Sequence, residues 1–209
     1  MTWRYVELLA IGAAVTAGVS IVAILLGLGL GVLVCSASLA RSGAVRAAGR
    51  LYISFFRGSP LLVQLLMIYY LLPAAGINVP SLVAAVLGLA LCTAAYQAEN
   101  LRGGFLSVAP GLIEAAQMLG MAPWRILLRI RLPIALRLTL PAVLNEAIMI
   151  LKASSLVSVV GVEELTRSAQ NLATSTYRPI PIYAAAGAFY LILNRLLAGG
   201  GGVLRRMLG

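Results

Sequence analysis

The stretch EAAQMLGMAPWRILLRIRLP, residues 114–133, differs from nearly everything around it. It carries Glu114, Gln117, Arg125, Arg129 and Arg131 between long apolar runs. Pro110 and Gly111 precede it, so 114–119 reads as a short helix that Gly120 closes as a C-cap. Pro123 suits the first turn of a second short helix. Leu132-Pro133 then ends the unit and starts the next apolar run. Ala115 and Ala116 give the first helix a low-profile face, where another protein's groove can approach the backbone closely. Such a unit fits a docking element. An amphipathic helix pair lying in a membrane interface fits the same residues.

The surrounding composition explains why the stretch stands out. The chain has 209 residues, 61% hydrophobic and 11% charged, whereas soluble domains carry about 25% charged residues. With a mean hydropathy of +0.99, the expectation is a protein that crosses a membrane several times. One transmembrane domain spanning 1–209 is expected, because the apolar runs recur from end to end.

Five apolar segments can be drawn, at about 8–39, 61–72 with an approach from 44, 81–99, 134–161 and 182–197. A helix needs about 20 residues to cross the hydrocarbon core, so the second segment is short unless its approach counts. The first run is too long for a signal-peptide core. Gly27, Gly29 and Gly31 favour close helix packing.

The chain's charge is +10, and its six acidic residues are all glutamate. The basic residues sit between apolar runs, which excludes a nucleic-acid surface and matches the positive-inside rule. Arg41, Arg46, Arg50 and Arg57 fall in the first connection. Arg102, Arg125, Arg129, Arg131 and Arg137 fall in the third, and Arg195, Arg205 and Arg206 near the end. The second connection, 73–80, is uncharged, and in the fourth Glu163 and Glu164 offset Arg167 and Arg178. The expected orientation is N-terminus outside, C-terminus cytoplasmic, with the loop at about 102–133 on the cytoplasmic side. Cys35 and Cys92 lie inside apolar runs and read as small buried hydrophobes. Without histidine or aspartate, a metal site or acid–base pair has little to be built from.

At this point the residues resemble a known family. Glu114, Ala115, Ala116, Gly120, Ile130, Leu132 and Pro133 match every position of the loop pattern of permease subunits in bacterial ATP-binding-cassette (ABC) importers. FFRGSPLLVQLLMIYYLLP (55–73), TAAYQAENLRGGFLSV (93–108) and LKASSLVSVVGVEELTRSAQ (151–170) are similar to the polar amino-acid branch, the histidine/glutamine/arginine type. The resemblance covers nearly the whole chain. It implies an all-α polytopic fold of about five transmembrane helices, the type I importer permease fold, in the bacterial inner (plasma) membrane. It implies that the loop is a coupling helix seated in a cytoplasmic ATPase subunit, with Pro123 in its second leg. It also implies alternating access in a complex of two permease subunits, two ATPase subunits and an extracytoplasmic substrate-binding protein, embedded in lipid.

No nucleotide site belongs to this chain. A P-loop needs a lysine after a glycine-rich turn, and the one lysine, Lys152, follows Leu151. The chain is therefore expected to be non-catalytic and without cofactor, with ATP and Mg held by the partner ATPase. Polar residues within spans are the substrate-pathway candidates: Thr93, Tyr96 and Gln64, with interhelical hydrogen bonding as the alternative role. Gln97 and Asn100 share the side of Thr93 and Tyr96, and Glu99 is expected to pair with Arg102. Lys152 costs about 3 kcal/mol at a bilayer centre, so it lines a cavity or serves structure. Relatives commonly read Lys-Asp-Thr/Ser-Ser where this chain reads Lys152, Ala153, Ser154 and Ser155. The missing carboxylate favours a heterodimer whose other half holds the main amino-acid site. The alternative is binding through Ser154, Ser155 and helix-end backbone. An ion-driven secondary transporter is the competing function, and its acidic relays would have to be built around Glu146.

Overall fold

The computed structural model describes residues 3–208, with side chains described as far as 202. Arg205 and Arg206 of the C-terminal basic group fall outside the described side chains. Helix α1, Trp3–Ser38, is followed by α2, Gly43–Gly58, and α3, Leu61–Ala74. Next come α4, Ser81–Leu106, and two short helices, α5, Pro110–Met118, and α6, Pro123–Ile126. A π turn, Leu127–Arg131, leads into α7, Leu132–Ala153, which narrows to a 3-10 segment, Ser154–Val160. Helices α8, Leu165–Thr176, and α9, Pro179–Leu208, complete the chain.

Four stretches are long and apolar enough to cross a membrane: 3–38, 81–106, 123–160 and 179–202. A fifth is reached only when α2 and α3 are taken together as one broken stretch, bent by 106°. This break is why the second apolar run looked short. Pro60 lacks an amide hydrogen and drives Ser59 out of the helical region, so the chain turns there.

Three apolar clusters hold the bundle. The central one joins Val19 and Ala23 of α1, Leu65 of α3, Leu89 of α4, Ile150 of α7 and Val157 of the 3-10 segment. At one end Leu9 and Ala13 pack with Leu165 and Ala169 of α8 and Ile182 of α9. At the other, Cys35, Ile53, Ala98 and Leu101 bring α2 across α1 and α4.

The main seam, α1 on α4, depends on two glycines. A Cβ at Gly27 would stand 2.5 Å from the Cβ of Thr93, and one at Gly31 would stand 2.9 Å from that of Gln97. Gly29 meets nothing within 4 Å, so the expectation that all three glycines pack narrows to two. Their spacing of four places both on one helical face.

Three sequence expectations need correcting. The second leg of the 114–133 unit does not end at Leu132-Pro133: α6, the π turn and α7 run on as one 123–160 helix. The Leu132 amide donates to the Leu127 carbonyl, a wider i to i−5 step that makes room for the proline ring at 133. The third span runs to Leu106, beyond residue 99. The fourth connection holds an unforeseen helix, α8, whose polar outer face hid it in the pattern.

Candidate functional site

The loop that opened the sequence analysis is built from standard helix-end chemistry. Pro110 starts α5 at a position whose amide would have no partner. The helix ends in a Schellman motif: Gly120 N donates to Gln117 O at 2.9 Å and Met121 N to Ala116 O at 3.1 Å. That motif needs a left-handed residue, and Gly120 has φ +70°. Pro123 then opens α6.

The two legs differ in exposure. Ala116 and Ile126 are buried, while Glu114 and Ala115 face outward. Met118 is 91% and Leu119 82% exposed, an apolar tip with no cover in this chain. Leu132 is half-buried and Pro133 exposed on the π-turned junction. Arg131, in the π turn, buries its Nε without a partner among the described residues.

The pathway candidates divide into two groups. Thr93 is fully buried against Gly27, and its hydroxyl donates to Leu89 O at 2.7 Å. Gln97, one turn on, donates to Val143 O of α7 at 3.3 Å and leaves its Oε1 unpartnered. Gln64 holds the α2–α3 elbow, its Nε2 donating to Phe56 O at 2.8 Å and Ser59 O at 3.0 Å. Ser154, buried, donates to Leu151 O at 2.8 Å where the α-helix tightens, and Ser155 is half-buried. Thr93, Gln97, Gln64 and Ser154 spend their donors inside the chain.

Tyr96 and Lys152 are placed differently. The ring of Tyr96 is half-buried and carries the Arg57 guanidinium 5.3 Å from its centroid. Lys152 is exposed beside half-buried Ala153, with no ion pair among the described residues. Arg57, read from sequence as a connection charge, thus reaches from the end of α2 to α4. Helical spacing on α4 alone gave no sign of this, because the contact depends on the elbow.

Glu99 pairs with Arg102 as the spacing predicts, Nε to Oε2 at 3.0 Å. The buried carboxylate that sequence reasoning missed is Glu164. It caps α8 by accepting from Arg167 N at 2.9 Å and from the Tyr190 hydroxyl at 2.8 Å. A capping acid three residues before Arg167 was the available signal, but Glu163 beside it made the pair look like solvated loop charge.

No metal centre is formed by three or more Cys, Asp or Glu side chains among the described residues. A cavity of about 510 Å³ opens at the connection between α3 and α4, lined by Tyr69, Tyr70, Asn78 and Ser81.

Comparison with known proteins places this architecture. The family described as "Binding-protein-dependent transport system inner membrane component" matches residues 23–206. The octopine transport system permease protein OccM of Rhizobium meliloti is 43% identical over 162 residues, 71% of this chain. The match spans 64% of that relative's length. The glutamine transport system permease protein GlnP of Escherichia coli K12 is 34% identical over 207 residues, 98% of this chain and 93% of the relative. Among solved structures, an amino acid ABC transporter described with histidines superposes with a TM-score of 0.91 at 33% identity, covering 99% of this chain and all of the other. The inward-facing MetNI methionine ABC transporter shares the fold, with a TM-score of 0.78 at 23% identity over the full length of both chains.

Proposed function

This chain belongs to the binding-protein-dependent transport system inner membrane components of bacteria, and we propose that it is the permease subunit of an ABC importer for polar amino acids or their derivatives. The observation that carries the reading is the loop at 110–131. It is a helix locked by a Schellman glycine, with Met118 and Leu119 displayed outward on an otherwise membrane-bound chain. An exposed apolar tip of this kind on a basic loop suits a protein groove. The octopine and glutamine relatives support the substrate class.

In this reading Glu114, Ala115, Ala116, Gly120, Pro123, Leu132 and Pro133 form the element that an ATPase subunit grips. ATP and Mg are bound by that subunit, and this chain performs no catalysis. Closing of the ATPase pair moves the loop and, through the unbroken 123–160 helix, the end of α7. Lys152, Ala153, Ser154 and Ser155 lie at that end, so a push at the loop is delivered to the pathway as a rigid-body shift. Tyr96 and Lys152 contact the substrate directly. Thr93, Gln64 and Ser154 shape the wall behind them. The N-terminus faces outside and the C-terminus the cytoplasm.

The complex contains a second permease, two ATPase subunits and an extracytoplasmic binding protein. A heterodimer is favoured. Lys152 stands exposed without a carboxylate partner among the described residues, and Ala153 supplies none, so a partner permease that carries one would complete the site.

The test is a gentle detergent pull-down of this chain from its host, with co-purifying proteins identified by mass spectrometry. A P-loop ATPase together with a second, different permease is the expected eluate. This chain without an ATPase, under conditions that preserve a known ABC complex, would turn the assignment to an ion-driven carrier.

A further inference from the structure

Helix α2 lies across the bundle, turned by 106° from α3. It carries three arginines, and two are engaged. Arg46 donates to Ala40 O at 3.0 Å, closing the end of α1. Arg57 sits over the Tyr96 ring. Arg50 is exposed and has no ion-pair or hydrogen-bond partner among the described residues.

Arg50 borders a cavity of about 280 Å³ whose other lining residues are Ile53, Ser54, Glu99 and Arg102. Glu99 and Arg102 neutralise each other, with Arg102 using Nε and Nη2. Its Nη1 is left without a partner among the described residues, and Arg102 on α4 lines the same cavity as Arg50 on α2. Ser54 adds a hydroxyl one turn beyond Arg50. The unspent donors around this cavity all suit an anion. An oxyanion held by two guanidiniums from different helices gains charge-assisted hydrogen bonds that water weakens less in a partly enclosed site.

The neighbouring stripe of α2 identifies the anion's carrier. Leu51 is 71% and Phe55 49% exposed, one turn apart and directly beside the Arg50–Ser54 stripe. A polar stripe with unspent arginine next to an exposed apolar stripe, on a helix lying across a membrane bundle, is the arrangement that seats a phospholipid.

We propose that the cavity between α2 and α4 binds the phosphate of an anionic phospholipid, between Arg50 and Arg102, with the acyl chains lying along Leu51 and Phe55. This site goes beyond the transport reading and does not depend on it. Bound there, the lipid fastens α2 to α4 at Arg50 and Ser54, before the end of α2 that Gln64 holds. It thereby makes the packing of the broken span sensitive to the anionic lipid content of the membrane.

The test is native mass spectrometry of the full-length chain purified in detergent, with added phosphatidylglycerol or phosphatidylcholine. The wild type should retain phosphatidylglycerol about tenfold more strongly, and Arg50→Gln should remove that preference, as expected for loss of one charge-assisted hydrogen bond. Arg50→Lys should keep part of it, and Arg41→Gln, on the exposed α1–α2 connection, all of it. Because Arg50 is exposed and unpartnered, lipid-free Arg50→Gln should melt like the wild type, which separates lost binding from lost folding. Equal retention of the two lipids by the wild type would overturn the proposal. So would undiminished phosphatidylglycerol binding by Arg50→Gln, or displacement of the lipid by excess inorganic phosphate.

Discussion

The Tyr190 hydroxyl donates a hydrogen bond to the Glu164 carboxylate at 2.8 Å, joining α9 to the start of α8. Glu164 has no exposed surface, and no arginine or lysine pairs with it among the described residues. Its oxygens are met by the Arg167 amide at 2.9 Å and by the Thr16 hydroxyl of α1 at 3.3 Å. Thr16 Oγ1 in turn accepts from Leu165 N at 3.1 Å. Helix α1 is thus tied to α8 and α9, far on in the sequence, at one buried carboxylate by neutral donors. A buried charge is tolerated only while such donors hold it, so the node fixes where α8 sits on the bundle.

Glu164→Ala should therefore destabilise strongly. It strands the Arg167 amide and leaves the Tyr190 hydroxyl only Thr166 Oγ1, at 2.8 Å, as a partner, and a buried unsatisfied group costs about 1–3 kcal/mol. Glu164→Gln keeps acceptor oxygen for the cap and should cost less than half as much. Thermal unfolding of the purified protein in detergent, followed by intrinsic fluorescence, ranks the two. Equal melting of Glu164→Ala and wild type would show that the node carries no stability.

The glycine seam makes a paired prediction. Gly27→Ala puts a methyl 2.5 Å from Thr93 Cβ and 3.0 Å from Ala90 O, so α1 and α4 must separate. Overpacking of this kind costs roughly 1–3 kcal/mol. Gly18→Ala, on the same helix with nothing within 4 Å, should be neutral or slightly stabilising, since alanine is the better helix former. The same unfolding assay on both variants checks the contrast, and it fails if the two shift together.

Gln64→Leu keeps the volume at the elbow but removes the donor that Phe56 O and Ser59 O share. The carbonyls at the end of α2 lose their link to α3. Spin labels placed on α2 and α3 should report a broader distance distribution than in the wild type. A distribution of unchanged width would mean that Pro60 alone sets the bend.

At Gly120 the backbone, not the packing, is at stake. A Cβ there meets nothing within 4 Å, but φ is +70°. A β-branched residue pays about 1–2 kcal/mol in that region, enough to open the Schellman turn. Gly120→Val should keep membrane insertion and most thermal stability while losing co-purification of the ATPase. Retained ATPase with wild-type yield would disconnect the turn from docking.

Much of this was legible in the chain. Apolar run lengths gave the spans, and Pro110, Gly120 and Pro123 gave the loop's turn chemistry, because these signals are local. What stayed hidden was non-local. Arg57 reaches Tyr96 only because the elbow folds α2 back, and Glu164 is buried only because α1 and α9 close over it. Pro133 misled in the other direction. Proline normally marks a helix boundary, but a π turn absorbs it here and keeps 123–160 continuous. Helical spacing put Thr93 and Tyr96 on one side of α4, yet the glycine seam turns Thr93 to α1 while Tyr96 turns to α2.

The central claim is that movement enters this chain at the 114–133 loop and is powered by a separate ATPase. The most direct measurement is uptake of a labelled polar amino acid into vesicles that contain this chain with the ATPase, partner permease and binding protein purified alongside it, with ATP supplied on the loop side. Uptake should require ATP, persist when ionophores collapse ion gradients, and vanish in Glu114→Lys although the protein still inserts. Uptake that needs an ion gradient but no ATP, or that survives Glu114→Lys unchanged, would contradict the account.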